Sequence, residues 1–109
     1  MERPPHDIEA RVYALTTAEG GRRSPLLSRY RPNHNFGKNG HLNDGTHEYP
    51  DGGRIELGGS GPVLIWLLCP DENHGLLAVG DTFTMQEGNR IVGRGTITAL
   101  PNSKLRKTG

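Results

Sequence analysis

The amino-acid sequence predicts an all-β fold, a small closed antiparallel β-barrel of about six strands. Three observations carry that prediction. Hydrophobic residues make up 32% of the 109, with 16 Gly and 8 Pro spread among them, so the apolar residues must be gathered into short segments joined by many turns. Those segments either alternate apolar with polar or form one unbroken apolar run of strand length. Between them fall Gly, Asn, Asp and Pro pairs, the residues that turns require. A chain of this length has room for one domain and one core. A domain this small buries a modest share of its surface, which makes a stabilising partner plausible.

Ile8 to Leu15 place Ile8, Ala10, Val12 and Ala14 on one face and Glu9, Arg11 and Tyr13 on the other, the period of a half-buried first strand. Ala18-Glu19-Gly20-Gly21-Arg22 supplies a turn, because paired glycines accept positive φ without steric cost. Tyr30-Arg31-Pro32 marks a further boundary, since proline pushes its predecessor toward extended geometry. Thr46 to Tyr49 and Arg54 to Leu57 read as a hairpin about Pro50-Asp51-Gly52-Gly53. Val63 to Cys69 is continuous rather than alternating, as in a strand covered on both sides, with Trp66 in the core and Pro70 ending it. Asp81 to Gln86 and Arg90 to Leu100 form the last pair, joined by Glu87-Gly88-Asn89. Gly93 and Gly95 lie on one face of the final strand and leave room for a bend or a close approach. Residues 1–7 are expected to be a flexible arm and 101–109 a flexible basic tail with Lys104, Arg106 and Lys107, leaving 8–100 as the barrel.

The formal net charge of +1, from 13 Lys and Arg against 12 Asp and Glu, supplies no global field for non-specific nucleic-acid binding. Any RNA contact must therefore come from a local patch, and Arg22, Arg23, Arg29 and Arg31 form one. The single cysteine, Cys69, excludes an intrachain disulfide and fits a reducing compartment, so the cytoplasm is the expected location. No membrane association is expected: the first residues lack the apolar core of a signal peptide, and Val63 to Cys69 is too short to cross a bilayer. His34, His41, His47 and His74 do not stand at zinc-binding spacings from one another or from Cys69. Cys69, ending an apolar strand, reads as a small buried hydrophobe with no ordered base beside it. Gly37-Lys38-Asn39-Gly40 lacks the remainder of a phosphate-binding loop. Neither catalysis nor a cofactor is expected, and Tyr13, Tyr30 and Tyr49 read as structural residues.

Taken in order, the segments from about Ile8 to Leu100 resemble the third, C-terminal β-barrel domain of translation elongation factor Tu, here as a stand-alone chain. The resemblance rests on three ordered motifs. They are Glu19-Gly20-Gly21-Arg22 with Tyr30-Arg31-Pro32, then Gly45-Thr46-His47-Glu48-Tyr49-Pro50-Asp51-Gly52, and finally Glu87-Gly88-Asn89-Arg90-Ile91-Val92-Gly93-Arg94-Gly95. In that family the barrel touches the T-stem backbone of aminoacyl-tRNA, and the matching positions are Arg22, Arg23, Asn33, Glu87 and Gly88. The resemblance thus implies contact with tRNA-type RNA or a translation-associated protein, and a GTPase-domain partner chain. The chemistry suits those residues, because Arg offers phosphate several N–H donors and Gly lets backbone approach closely. The pattern departs at Cys69, where the family has lysine, and at Asp44, where it has threonine. The turn Leu57-Gly58-Gly59-Ser60, the pair Leu26-Leu27 and the longer loop Gly37 to Asp44 also differ. Surfaces that pack on the GTPase domain in the family are therefore expected to be remade, which opens a second reading as a protein-interaction barrel with no RNA role.

Overall fold

The computed structural model describes residues 3–108, so Met1, Glu2 and Gly109, the outermost residues of the expected arm and tail, lie outside the described residues. Eight strands occur in chain order: β1 (Ile8–Ala14), β2 (Leu26–Leu27), β3 (Asn33–Asn35), β4 (Asn43–Glu48), β5 (Arg54–Ile55), β6 (Ser60–Leu67), β7 (Thr82–Glu87) and β8 (Arg90–Ala99). Six of them close an antiparallel barrel, as the sequence predicts, and their order around it is β1-β6-β4-β3-β7-β8. The remaining two, β2 and β5, pair as a separate ribbon. No helix among the described residues is long and apolar enough to cross a membrane.

Alternation decides which side chains enter the barrel. On β1, Ile8, Ala10, Val12 and Ala14 are buried, the face that the sequence period selects. The interior is narrow, and β8 meets it with glycine. A Cβ at Gly95 would overlap the Phe83 ring, and one at Gly93 would lie 2.7 Å from Met85 Cε and 2.8 Å from the Tyr13 carbonyl oxygen. The room foreseen at these glycines is thus filled by Phe83 and Met85 of the neighbouring strand. The β7–β8 turn is a two-residue connection in which Glu87 faces Arg90 and Gly88 takes φ +57°.

Several expectations need correction. The turn at 50–53 forms, but its two arms do not pair with each other. One edge of β4 is taken by β6, and the other by β3 and then, at His47, by residues 29–30, where His47 N–H donates to the Tyr30 carbonyl (2.8 Å) and Arg29 N–H to the His47 carbonyl (2.7 Å). Arg54 and Ile55 turn away to Leu27 and Leu26 instead. On β6 only Gly61, Val63, Ile65 and Leu67 are buried, so the unbroken apolar run still alternates and Trp66 faces outward rather than into the core. Its outer side is covered by the N-terminal arm. The Arg3 guanidinium carbon lies 3.6 Å from the Trp66 ring centroid, and Trp66 Nε1–H donates to the Pro4 carbonyl (2.7 Å). Asp7 anchors the same arm, its carboxylate accepting from Leu67 N–H (2.8 Å) and from Asn102 Nδ2 (2.9 Å). Cys69 is exposed, because the chain leaves the barrel wall after Leu67 and enters a short 3-10 helix at Pro70–Asn73. The basic tail also has something to bury. Leu105 lies in the core, and residues 105–107 run beside Leu77 through Leu77 N–H to the Leu105 carbonyl (2.9 Å) and Lys107 N–H to the Leu77 carbonyl (2.7 Å).

One buried element is polar. His34 and His47, on β3 and β4, are both fully buried, and their Nε2 atoms stand 2.7 Å apart. His34 Nδ1 lies 2.8 Å from the Asn43 carbonyl oxygen, which can only accept, so that nitrogen carries the proton. In a neutral ring His34 Nε2 is then the acceptor, His47 Nε2–H the donor, and His47 Nδ1 accepts from the Tyr49 hydroxyl at 2.7 Å. Every hydrogen in this chain of bonds is assigned by its far end. Among the described residues no buried side-chain nitrogen or oxygen lacks a partner.

Burial keeps both rings neutral. It lowers His34 to about 4 against the opposing pull of the Asn43 carbonyl and Asp44, and it lowers His47 well below the usual range, with His34 adding to the effect. The unfolded chain protonates these rings near pH 6.5, whereas the folded chain does not until the pH is lower. Between pH 6.5 and about 4 the unfolded chain binds more protons, and stability falls as the pH drops, by up to about 1.4 kcal/mol per pH unit for each histidine. Urea-unfolding midpoints at pH 7.5, 6 and 5 measure this, and a flat profile would mean that the rings are not shielded. Tyr49→Phe, which leaves His47 Nδ1 unpaired, is expected to cost about 1–3 kcal/mol at neutral pH. Gly95→Ala is expected to cost a similar amount, about 1–3 kcal/mol, by pushing on the Phe83 ring, with part of the loss recovered when Phe83→Leu is added. An unchanged unfolding midpoint for Gly95→Ala would contradict the close approach of β7 and β8.

Candidate nucleic-acid interface

The turn after β1 is built to present Arg22. Thr16 and Glu19 bond reciprocally, Glu19 N–H to Thr16 Oγ1 (3.1 Å) and Thr16 N–H to Glu19 Oε1 (2.8 Å), which closes a tight turn. Gly20 then takes φ +92°, and at Gly21 a Cβ would lie 2.5 Å from the Leu15 carbonyl oxygen. Only glycine fits at both positions. Thr17 Oγ1 donates to the Arg22 carbonyl (2.7 Å) and holds the chain as it leaves the turn.

From there Arg22 reaches the end of β7. Its Nη1 pairs with Glu87 Oε2, its Nε and Nη2 donate to the Ser24 carbonyl (3.3 Å) and hydroxyl (3.1 Å), and its guanidinium carbon lies 4.7 Å from the Tyr30 ring centroid. The Tyr30 hydroxyl donates to the same Glu87 oxygen. Burial alone would raise the Glu87 carboxyl, but the bonds from Tyr30 and Arg22 outweigh it and hold the group below its ordinary range. Arg22 is raised by the same bonds, again against the effect of burial. Burial, and then the bond to Glu87, pushes the Tyr30 hydroxyl up. Glu87 is therefore an anion and Tyr30 a neutral donor throughout the neutral range.

The other residues singled out from the sequence gather at this same end. Gly88 follows Glu87 in an exposed turn, and Asn33 of β3 stands opposite Gln86 of β7 and Asp44 of β4. Arg23 is exposed beside Arg22 and has no ion pair among the described residues. Arg29 and Arg31 flank Tyr30 and are exposed too, and Arg29 holds a positive φ of 77° that residues with a Cβ rarely adopt. The fold thus joins two turns 65 residues apart through one ion pair, with Arg23 beside Arg22 and Arg29 and Arg31 flanking Tyr30, none of these three in an ion pair among the described residues.

The sequence predicts a structural role for Tyr30, and the residue also links Arg22 to Glu87. The signal lay in the Tyr-Arg-Pro triplet, which marks a boundary but not a contact. Tyr30 also rests edge-on against His47, with ring centroids 6.1 Å apart, so the buried histidine chain stands directly behind this surface. The sequence spacing of the histidines speaks only to metal binding and does not reveal this chain of bonds. Their inward positions on two strands were the available signal, and among the described residues no cluster of three or more His, Cys, Asp or Glu side chains is placed to hold a metal ion. A second stretch of surface, the outward face of β7, β8 and β1, carries Thr82, Thr84, Arg94, Thr96, Arg11 and Tyr13 along one groove, and the sequence reading did not single it out. No protein-family model matches the chain.

Because Arg22 and Glu87 are partly exposed, Arg22→Met is expected to change stability by less than about 1 kcal/mol. A double-mutant cycle with Glu87→Gln should give a coupling that vanishes in 1 M salt. A coupling that persists there would mark the pair as structural rather than a surface contact.

Proposed function

We propose that this chain is a non-enzymatic, cytoplasmic binding module of the elongation factor Tu third-domain kind, and that its Arg22–Glu87 end contacts the backbone of tRNA-type RNA. One observation carries the reading: the motif turns that the resemblance ties to RNA contact meet at one end of the barrel, where Arg22 pairs with Glu87 beside Arg23, Asn33 and Gly88. Arg23, Arg29 and Arg31, exposed and in no ion pair among the described residues, supply guanidinium groups for phosphate, and the exposed Gly88 turn leaves backbone open to ribose. Glu87 lowers the local positive charge, so Arg22 is a latent phosphate ligand, released when Glu87 is neutralised or drawn to a ribose hydroxyl. A GTPase-domain chain would act as the partner that completes such a factor.

Two exposed leucines favour a second reading, a protein-interaction barrel. Leu42 and Leu68 are 44% and 62% exposed, and both line a small depression with Asp44, Cys69 and Glu72 beside the lengthened loop. An acidic, apolar-edged patch of this kind suits a protein surface better than phosphate.

Electrophoretic mobility or anisotropy with deacylated tRNA separates the readings. The RNA reading expects salt-dependent binding, a loss of at least about tenfold for Arg22→Ala with Arg23→Ala, and a gain of severalfold for Glu87→Gln. Absence of a tRNA shift, or indifference to both sets of substitutions, would end it. The protein reading expects Leu42→Ser with Leu68→Ser to abolish binding of a purified GTPase-domain chain while leaving tRNA untouched.

A further inference from the structure

We infer that the outward face of β7, β8 and β1 is a second nucleic-acid surface, one that takes the phosphodiester backbone of a single strand without reading its bases. This surface is distinct from the Arg22–Glu87 end and stands whether or not that end takes tRNA.

Barrel register places the surface. Asn35 stands opposite Thr84, Thr84 opposite Arg94, Arg94 opposite Tyr13, and Tyr13 opposite Ser60, so five neighbouring strands contribute one unbroken row of outward polar side chains. In the adjacent row Thr82 stands opposite Thr96, and Thr96 opposite Arg11. These residues line a single groove, and no Asp or Glu lines it. With neighbouring strands about 4.8 Å apart, the longer row crosses roughly 19 Å of surface.

Charge defines the occupant. Arg11 and Arg94 are diagonal neighbours on paired strands, within the reach at which like charges repel, and neither has an ion pair among the described residues. The acid at the rim, Glu19, accepts from the Tyr13 hydroxyl (2.6 Å) and from Thr16 N–H (2.8 Å); these neutral donors leave its charge in place, so it offsets part of the Arg94 charge from the rim. Arg94 meanwhile lies over Tyr13, its guanidinium carbon 5.6 Å from the ring centroid, and the other two aromatic residues of the groove, Phe36 and Phe83, are buried, which leaves little aromatic face for a base. An anion between Arg11 and Arg94 relieves their repulsion, and the threonine and serine hydroxyls beside it are neutral donors for phosphate oxygens. The outside of a closed barrel is convex, so a flexible single strand can follow it across several strands where a rigid duplex would touch at one point.

Fluorescence anisotropy with a labelled ten-nucleotide oligouridylate tests this. The native chain is expected to bind it, with log K falling linearly against log salt concentration. Arg11→Ala with Arg94→Ala should weaken binding about tenfold at low salt and reduce the salt slope by about 1.4, two phosphate contacts at roughly 0.7 each. Arg11→Lys with Arg94→Lys, which keeps the charges, should retain the native slope, and it controls for misfolding of the alanine variant. Arg22→Ala with Arg23→Ala should leave the oligonucleotide unaffected, and a native chain that binds the oligonucleotide but does not shift tRNA would count against the first site and not this one. The inference is overturned if the native chain does not bind the oligonucleotide, if the alanine variant binds as the native chain does, or if a ten-residue polyglutamate displaces the oligonucleotide at equal charge.

Discussion

Closure of the sheet where β1 meets β8 is the constraint on which the rest of the molecule depends. β1 gives one edge to β6 and the other to β8, so Val12 stands opposite Gly61 on one side and Gly95 on the other. A six-stranded barrel encloses little space, and its walls must therefore be thin where its contents are thick. Ala10 and Ala14 on β1 and Gly93 and Gly95 on β8 form the thin wall, and Phe36, Phe83 and Met85 fill the space they leave. Closure also removes free strand edges from the barrel. A partner therefore cannot join the barrel by adding a strand, and recognition falls to outward side chains and to the turns at the barrel ends.

The buried histidines connect that interior to the surface. A hydrophobic pair could fill the same volume, but it would not set register. A one-residue slip of β3 or β4 would turn His34 or His47 outward and leave its partner with an unpaired nitrogen in the core. The bonded chain from Tyr49 through His47 and His34 to Asn43 therefore opposes slippage on two short strands that have little apolar surface of their own. The main chain of His47 in turn holds residues 29 and 30 through two hydrogen bonds, and Tyr30 carries that order to Glu87 and Arg22. The order of the outer cluster thus originates in neutral core bonds rather than in its own ion pair, which is partly exposed and worth little alone.

The parts of the fold that were legible in the sequence were those whose signal is local. β1 and the β7–β8 hairpin follow from alternation and from a Gly-Asn turn. β4 and β5 did not, because the competing claim on the β4 edge comes from residues 29–30, and no pattern within 46–57 records it. Trp66 and Cys69 were misplaced for a related reason: an unbroken apolar run hides which alternate residues face inward and where the wall ends. Leu105 was overlooked because its basic neighbours set the character of the segment while one apolar side chain sufficed to dock it. At the candidate site the two turns were legible as motifs, but their meeting through Arg22, Tyr30 and Glu87 is a product of topology.

The outward rows on β7, β8 and β1 show why a net charge near zero says little about polyanion recognition. Glu48 is held by Arg3 and Glu56 by Arg54, Asp81 lies near Lys38, Glu9 meets His6, and Glu87 meets Arg22. Glu48, Glu56, Asp81 and Glu87 neutralise cations elsewhere on the molecule, and the ladder register leaves Arg11 and Arg94 in a groove whose other polar lining groups are uncharged, with Glu19 at its rim. With a screening length of about 8 Å at physiological ionic strength, a phosphate approaching that wall responds to the two arginines beneath it rather than to the total charge of the chain. The functional sign of a small barrel is thus set by which residues share a face, a property of strand register that composition averages away.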